Sequence, residues 1–415
     1  MSVEAESSAA ASSDTSARPP GSAAEVLRAF AKLGISSFGG PIAHIGYFRQ
    51  EFVVRRRWLD EHAFADLVGL CQFLPGPASS QVGFSLGLMR AGYLGGLAAW
   101  TAFTLPSAII LVAFAYGAGA LGGPIGAGLL HGLKLVAVSI VAQAVLGMVR
   151  SLTPDRERAS IAVIVTLIIL ASPSSLAQIG AIVLGGIAGL IMCRDAPKAP
   201  SEGAPRVPVS RAVGLTALAI FLLLLGGLPV LDRLVHSQAI ALFDAFYRSG
   251  ALVFGGGHVV LPLLREATVA PGWIGDDAFL AGYGAAQAVP GPLFTFAAYL
   301  GAIMGPPPNG VAGAAIALVA IFVPGILVLI AALPFWESFR RQAWAQAVMR
   351  GVNAAVVGLL GAALYNPIWT TSVRGPADFG LALLGFALLT AWKAPPILVV
   401  GIAAAGGVAL ALAGQ

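Results

Sequence analysis

Apolar residues in this chain neither alternate nor form narrow helical stripes; they run on for tens of residues, interrupted by glycine, proline and short charged loops. About 20 such residues in a helix cross a hydrocarbon core of roughly 30 Å. On that basis nine segments read as full crossings: 92–118, 129–149, 158–173, 175–193, 212–231, 310–333, 348–366, 377–392 and 394–413. Four more, 25–48, 63–90, 238–263 and 278–304, are apolar but interrupted midway, and read as elements that enter and return or cross while unwound. Transmembrane strands would alternate apolar and polar positions, so a β-barrel is excluded. The expected fold is an all-α polytopic membrane protein of roughly 10–13 membrane segments.

Composition points the same way. The 415 residues are 58% hydrophobic and 10% charged, with a mean hydropathy of +0.86, whereas soluble domains carry about 25% charged residues. The net charge of +5 sits in loops, where it sets orientation, and does not point to nucleic acid. Cys71 and Cys193 lie in or beside apolar segments and no C-x-x-C occurs, so neither a disulfide framework nor a zinc site is expected. Residues 1–23, rich in Ser and Ala and carrying Pro19-Pro20-Gly21, read as a disordered tail without the pattern of a cleaved leader.

The interrupted segments recur in pairs at an offset of about 215 residues. Phe38-Gly39-Gly40 matches Phe254-Gly255-Gly256, Trp58 matches Trp273, and Phe64 matches Phe279. Gly69, Gln72 and Pro75-Gly76-Pro77 match Gly284, Gln287 and Pro290-Gly291-Pro292. Further along, Pro106 answers Pro324 and His131-Gly132 answers Arg350-Gly351. The chain therefore divides into a first repeat, 24–193, a cytoplasmic linker, 194–211, a connecting transmembrane helix, 212–236, and a second repeat, 237–415.

Charge orients the repeats. The loop Arg49–His62 carries Arg49, Arg55, Arg56 and Arg57, whereas its counterpart, 264–277, sets Arg265 against Glu266, Asp276 and Asp277. The next pair reverses: 119–130 is uncharged, while its counterpart near 337–350 holds Arg340, Arg341 and Arg350. By the positive-inside rule 49–62 is cytoplasmic and 264–277 is outside. The connecting helix supplies the odd crossing that flips the second half, so the repeats are inverted.

Inverted repeats in secondary transporters hold substrate near the midplane, at the ends of broken helices. Pro75 and Pro77 remove backbone donors and forbid a continuous helix. Gly76 then caps, and Pro77 opens, a new half-helix. The amides of Ala78, Ser79 and Ser80, and in the second half of Leu293, Phe294 and Thr295, are left unpaired at positive helix ends. Gly39 and Gly40, with Gly255, Gly256 and Gly257, open a second pair of half-helices and admit a ligand close to the backbone. Amides and hydroxyls without an excess of buried carboxylate suit an anion. The expected binding set is Gln72, Pro75, Gly76, Pro77, Ser79, Ser80, Gln287, Pro290, Gly291, Pro292 and Thr295, with those five glycines. A plain packing kink is the alternative, since proline and glycine are common in transmembrane helices; recurrence with a glutamine beside each break favours a site.

The stretches FGGPIAHIGYFRQEFV, CQFLPGPASSQVG, FGGGHVVLPLL and AGYGAAQAVPGPLFTFAAYLGA, with ALPFW and GVNAAVVGLL, resemble the signatures of the chromate ion transporter family, in its long two-domain bacterial form. The resemblance covers roughly residues 25–370. It implies a multi-pass carrier of the cytoplasmic membrane that exports chromate, with sulfate as the close analogue, and confers chromate resistance without a cofactor. Whether it forms a homo-oligomer is left open. An inside-negative potential favours dianion export by about 4.6 kcal/mol per 100 mV, from about 2.3 for each charge, so the potential, a proton gradient or both can drive it.

Other polar positions carry two readings each. Asp66 and Lys134 lie in apolar helices, as coupling or gating groups or as snorkelling side chains near segment ends. His44 and His258 follow the glycine breaks and either titrate or hold structure through hydrogen bonds. Arg55, Arg56 and Arg57 anchor topology or capture an anion. Rival functions are a sulfate-type uptake carrier and an anion channel. An enzyme is disfavoured: the histidines at 44, 62, 131, 236 and 258 are scattered, and no H-E-x-x-H or C-x-x-C occurs.

Overall fold

The structure, a computed structural model, describes residues 21–37, 40–118, 123–172, 175–193, 209–254, 259–336 and 342–413. Among these residues it is helical, with no strand. The first half contains α1 (Ala23–Ser36), α2 (Gly40–Phe48), α3 (Glu61–Phe73), α4 (Ala78–Ala118), α5 (Gly123–Leu152), α6 (Arg156–Ala171) and α7 (Ser175–Met192). After α8 (Arg211–Val235) the second half follows: α9 (Gln238–Ala251), α10 (Val260–Thr268), α11 (Asp276–Ala286), α12 (Phe296–Ile303), α13 (Gly310–Ala332), α14 (Ala343–Ala363), α15 (Pro376–Thr390) and α16 (Pro396–Leu412). Polar caps open several of them: Ser22, Asp60, Asp155 and Ser210 accept from the amides of Glu25, Ala63, Arg158 and Val213, which satisfies donors that a helix leaves bare.

Helix α4 is two arms. Ala91 (φ −144°) and Gly92 (φ 64°) leave the helical region, and the chain folds back: a Cβ on Gly96 would lie 2.9 Å from the Phe84 ring. In a straight helix those residues stand about 18 Å apart. Glycines close the fold, because a side chain on Gly87 would strike the Gly95 carbonyl. The second half repeats the device, with Gly301 of α12 against Gly313 of α13.

Five segments have the length and apolarity of a crossing: Ala78–Gly117, Gly123–Leu152, Arg211–Val235, Gly310–Phe335 and Ala343–Ser372. The first is folded at Gly92, so only its second arm, 93–118, spans. Helices α6, α7, α15 and α16 have 16, 18, 15 and 17 residues, and at 1.5 Å per residue they reach about 22–27 Å, a few ångströms short of the hydrocarbon core. The interrupted segments enter and return. Phe30 of α1 stacks on Phe52 at 4.8 Å and meets Phe48 of α2 at 5.5 Å. The Tyr299 hydroxyl from the middle of α12 donates to the Ala278 carbonyl at the start of α11, at 3.0 Å.

The halves are related by a two-fold. The outer arm of α4 runs antiparallel to its counterpart α13: Trp100 lies edge-on to Phe322 at 5.7 Å, while the Tyr116 hydroxyl sits beside Gly310. Equivalent helices that cross in opposite senses make an inverted pair. The outer helices are exchanged. Helix α5 lies on α16, with Gly128 and Gly132 against Gly407 and Ala403, and α14 lies on α7, with Gly351 against Gly185 and Gly189. Each half thus covers the other's central helix with its own last hairpin.

At the basic end, α2 runs on as a π-helical turn, Arg49–Arg55. Glu51 is buried there and ion-pairs with Arg55 at 3.0 Å and Arg56 at 2.6 Å. Burial pushes its carboxyl up, but the hydrogen bonds from Arg56 and Arg55 outweigh that and hold it below the usual range. Arg56 and Arg90 lie over the Trp58 ring at 5.7 and 5.5 Å. Part of the expected basic loop is therefore built into the fold. In a chain with Cys71→Ala and Cys193→Ser, single cysteines at Val54 and Ala270 should react with impermeant thiol reagents from opposite sides, Val54→Cys from the cytoplasm. Reaction of both from one side contradicts the inversion.

Candidate functional site

Four re-entrant tips meet between the halves, around Ser37, Gly76, Val253 and Gly291, and they bond crosswise. The Gly76 amide donates to the Val253 carbonyl at 2.7 Å, and the Gly291 amide donates to the Ser37 carbonyl at 2.9 Å. Gly76 and Gly291 are repeat partners, as are Ser37 and Val253, so one bond is the symmetry image of the other. Both glycines take positive φ, 116° and 100°, which L side chains resist. Each break also packs on the other half's proline-kinked helix. A Cβ at Gly76 would lie 2.8 Å from the Gly325 Cα, and one at Gly291 would lie 2.9 Å from the Ser107 Oγ.

A polar chain links the two breaks. The Ser37 carbonyl also lies 3.2 Å from His44 Nε2, and His44 Nδ1 lies 3.4 Å from the Ser79 hydroxyl. A neutral ring with its proton on Nε2 donates to Ser37 and accepts from Ser79. Both ring nitrogens of His44 are thus engaged in hydrogen bonds. Pro75, Gly76 and Pro77 form the break, and α4 starts at Ala78, with Gln81 the first amide returned to the Pro77 carbonyl, at 3.0 Å. The amides of Ala78, Ser79 and Ser80 precede that bond and have no acceptor within the helix.

The expected donors divide. Ser79 and Ser80 are buried; Ser79 is engaged by His44, while the enclosed Ser80 Oγ has no partner. Pro290 and Pro292 are buried at the second break, but Thr295 turns back on it. Its amide and hydroxyl both donate to the Pro292 carbonyl, at 3.0 and 2.7 Å, in a 3-10 turn that precedes α12. Thr295 is therefore not the free donor expected, because a 3-10 start uses the amide that an α start leaves bare. Gln287 is half-buried with Nε2 enclosed and unpartnered, whereas Gln72 is exposed on α3. Gly40 opens α2 with φ 75°; Gly39, Gly255, Gly256, Gly257 and His258 lie outside the described residues. Asp66 is half-buried on α3, away from the tip contacts described.

Residues that sequence reasoning passed over complete the site. Gln81 Nε2 donates to the carbonyls of Pro75 and Gly325, both at 2.9 Å, and so pins the first break to α13. Ser37 Oγ, Trp100 Nε1 and Thr104 Oγ1 are enclosed without partners. Trp100 and Thr104 share a face of α4 at the crossing, four residues apart in an apolar run, which was the available signal. The buried charged side chains Glu51, Lys134, Asp244 and Asp378 take no part in the tip contacts described. The tips thus offer neutral donors, suited to an anion bound by hydrogen bonds alone. Lys134 lies apart, with Nζ 2.8 Å from Asp277 Oδ1. That hydrogen bond holds the Asp277 carboxyl below its usual range against a smaller opposing effect of burial.

The crosswise bonds are testable by adding single methyl groups. Gly76→Ala meets both the positive-φ penalty, about 1–2 kcal/mol, and a collision with Gly325 backbone, about 1–3 kcal/mol. Gly291→Ala meets the same φ penalty, but its nearest neighbour, at 2.9 Å, is a Ser107 hydroxyl that can rotate, and the Phe103 carbonyl stands farther off, at 3.1 Å. The first should lower the melting temperature in detergent more than the second. Equal melting temperatures for both variants and the parent would contradict the packing at the breaks.

The family model described as "Chromate transporter" matches residues 24–190 and 240–408, once in each half. The chain is 29% identical over 396 residues to a chromate transport protein of Pseudomonas aeruginosa, covering 94% of this chain and 92% of that one. It is 27% identical over 397 residues to a probable chromate transport protein of Synechococcus elongatus, covering 94% and 96%. An uncharacterized transporter of Bacillus subtilis is 32% identical over 161 residues, 37% of this chain but 86% of its own length. No solved structure matches. Two matched regions, one in each of two interlocked halves, place this multi-pass membrane protein in the chromate transporter family.

Proposed function

We propose that this chain is a secondary carrier that exports chromate across the cytoplasmic membrane and so confers resistance to it, with sulfate as a competing analogue. The observation that carries the reading is the crosswise pairing of the breaks, which sets the bare start of α4 opposite the second break in a buried, uncharged centre. The site consists of the amides of Ala78, Ser79 and Ser80 with Ser80 Oγ, Ser37 Oγ, Trp100 Nε1 and Gln287 Nε2. A hydrogen bond to a charged group contributes about 1.5–3 kcal/mol, and a helix end about 0.3–2 kcal/mol. Several together offset dehydration of a dianion, while the lack of a fixed cation among the described residues lets it leave. Burial of Ser79, Ser80 and Thr295 supports an occluded carrier over an open channel. A transporter family and neutral tips support a non-enzymatic role.

Transport follows by alternation. The first half's re-entrant hairpins open from the cytoplasmic side and the second half's from the outside, so tilting one pair against the other exposes the centre to each side in turn. The membrane potential drives the dianion outward, by about 2.3 kcal/mol per charge per 100 mV. Inside-out vesicles with a clamped potential test this directly. Chromate uptake should saturate, be competed by sulfate and rise as the lumen is made positive. Uptake that ignores the potential and needs an imposed proton gradient would overturn potential-driven export, and non-saturating flux would favour a channel.

A further inference from the structure

A cavity of ≈ 680 Å³ lies on the face away from the Arg49–His62 loop, between α5 and the α11–α12 hairpin. Lys134 and His131 of α5, Asp277 of α11, Tyr299 of α12 and Arg374 before α15 line it. Its charges are unequally fixed. Lys134 has a side chain 6% exposed, whereas its partner Asp277 is 71% exposed. The cation is built into the wall; the carboxylate stands in water and can swing away at little cost, since exposed pairs contribute little. His131 Nε2 is 2.7 Å from Asp378 Oδ1, its Nδ1 is enclosed without a partner, and Asp378 Oδ2 accepts the Arg374 amide at 2.9 Å. The exposed Asp277 is thus the carboxylate free to exchange, while Asp378 is held from two sides. Helix α11 leads from this cavity to Gln287 and the second break.

We propose that this cavity is a second anion site, in which Lys134, flanked by His131 and Arg374, takes a sulfate-sized tetrahedral dianion in place of Asp277. A buried ammonium needs a counter-charge, and an arriving dianion supplies one while Asp277 turns to solvent. An anion released from the tips would pass here, and Asp277 would close the site behind it. This role rests on the export reading above; the binding itself does not.

The test is equilibrium binding of sodium sulfate to the full-length protein in detergent, with size exclusion as the check on folding. Asp277→Asn should tighten binding about tenfold, as removal of a competing ligand does. Lys134→Gln should abolish that site, and Lys134→Gln combined with Asp277→Asn should stay without it. If the pair is only a structural clasp, Asp277→Asn weakens or leaves binding unchanged and the double variant restores it; either result overturns the proposal. Replacing Pro75, Gly76 and Pro77 together by alanine separates the two readings. Sulfate binding that survives this change and still depends on Lys134 supports the outer site whatever becomes of the central one. Binding lost with the break and indifferent to Lys134 and Asp277 removes the outer site and leaves the central one standing.

Discussion

Unwound backbone at membrane depth is tolerated only where protein, not lipid, meets its polar groups. That constraint organises this molecule. Each half carries two tips that its own chain does not fully satisfy. The Gly76 amide reaches the Val253 carbonyl and the Gly291 amide reaches the Ser37 carbonyl, so each half completes the other. The glycines follow from this, because only a residue without a Cβ turns to φ 116° against the Gly325 backbone. So does the inversion: a two-fold lying in the membrane brings a tip entering from one side against a tip entering from the other.

The exchange of outer helices extends the same logic. With α5 seated on α16 and α14 on α7 through glycine contacts, small residues bring helix backbones close where no hydrophobic force drives helices together in lipid. A half on its own would leave α5 or α14 without its cover and two tips unsatisfied. Among the described residues, helix starts and enclosed donors meet at the same centre without a fixed charge, while the charged pairs stand at the periphery.

Much of this was legible in the sequence because proline and glycine act locally. Pro75-Gly76-Pro77 and its repeat forbid a helix wherever they stand, and the interrupted segments they imply appear as α3 with the first arm of α4, and as α11 with α12. The family was legible as well. What escaped was pairing across the sequence and the facing of single side chains. Gln72 borders the break yet is exposed, while Gln81, one turn beyond it, reaches Gly325, 244 residues away. Thr295 sits at the right place, but a 3-10 start turns its hydroxyl onto Pro292. Lys134 finds Asp277, 143 residues on, and no local pattern encodes that contact.

The most direct measurement is a crystal structure with chromate bound, in which the anomalous scattering of chromium locates the anion without interpretation of density. The account predicts a peak between the two breaks, within hydrogen-bonding distance of the Ser79 and Ser80 amides and of Ser80 Oγ. Occupied chromate positions elsewhere, with none between Pro77 and Pro292, would contradict it.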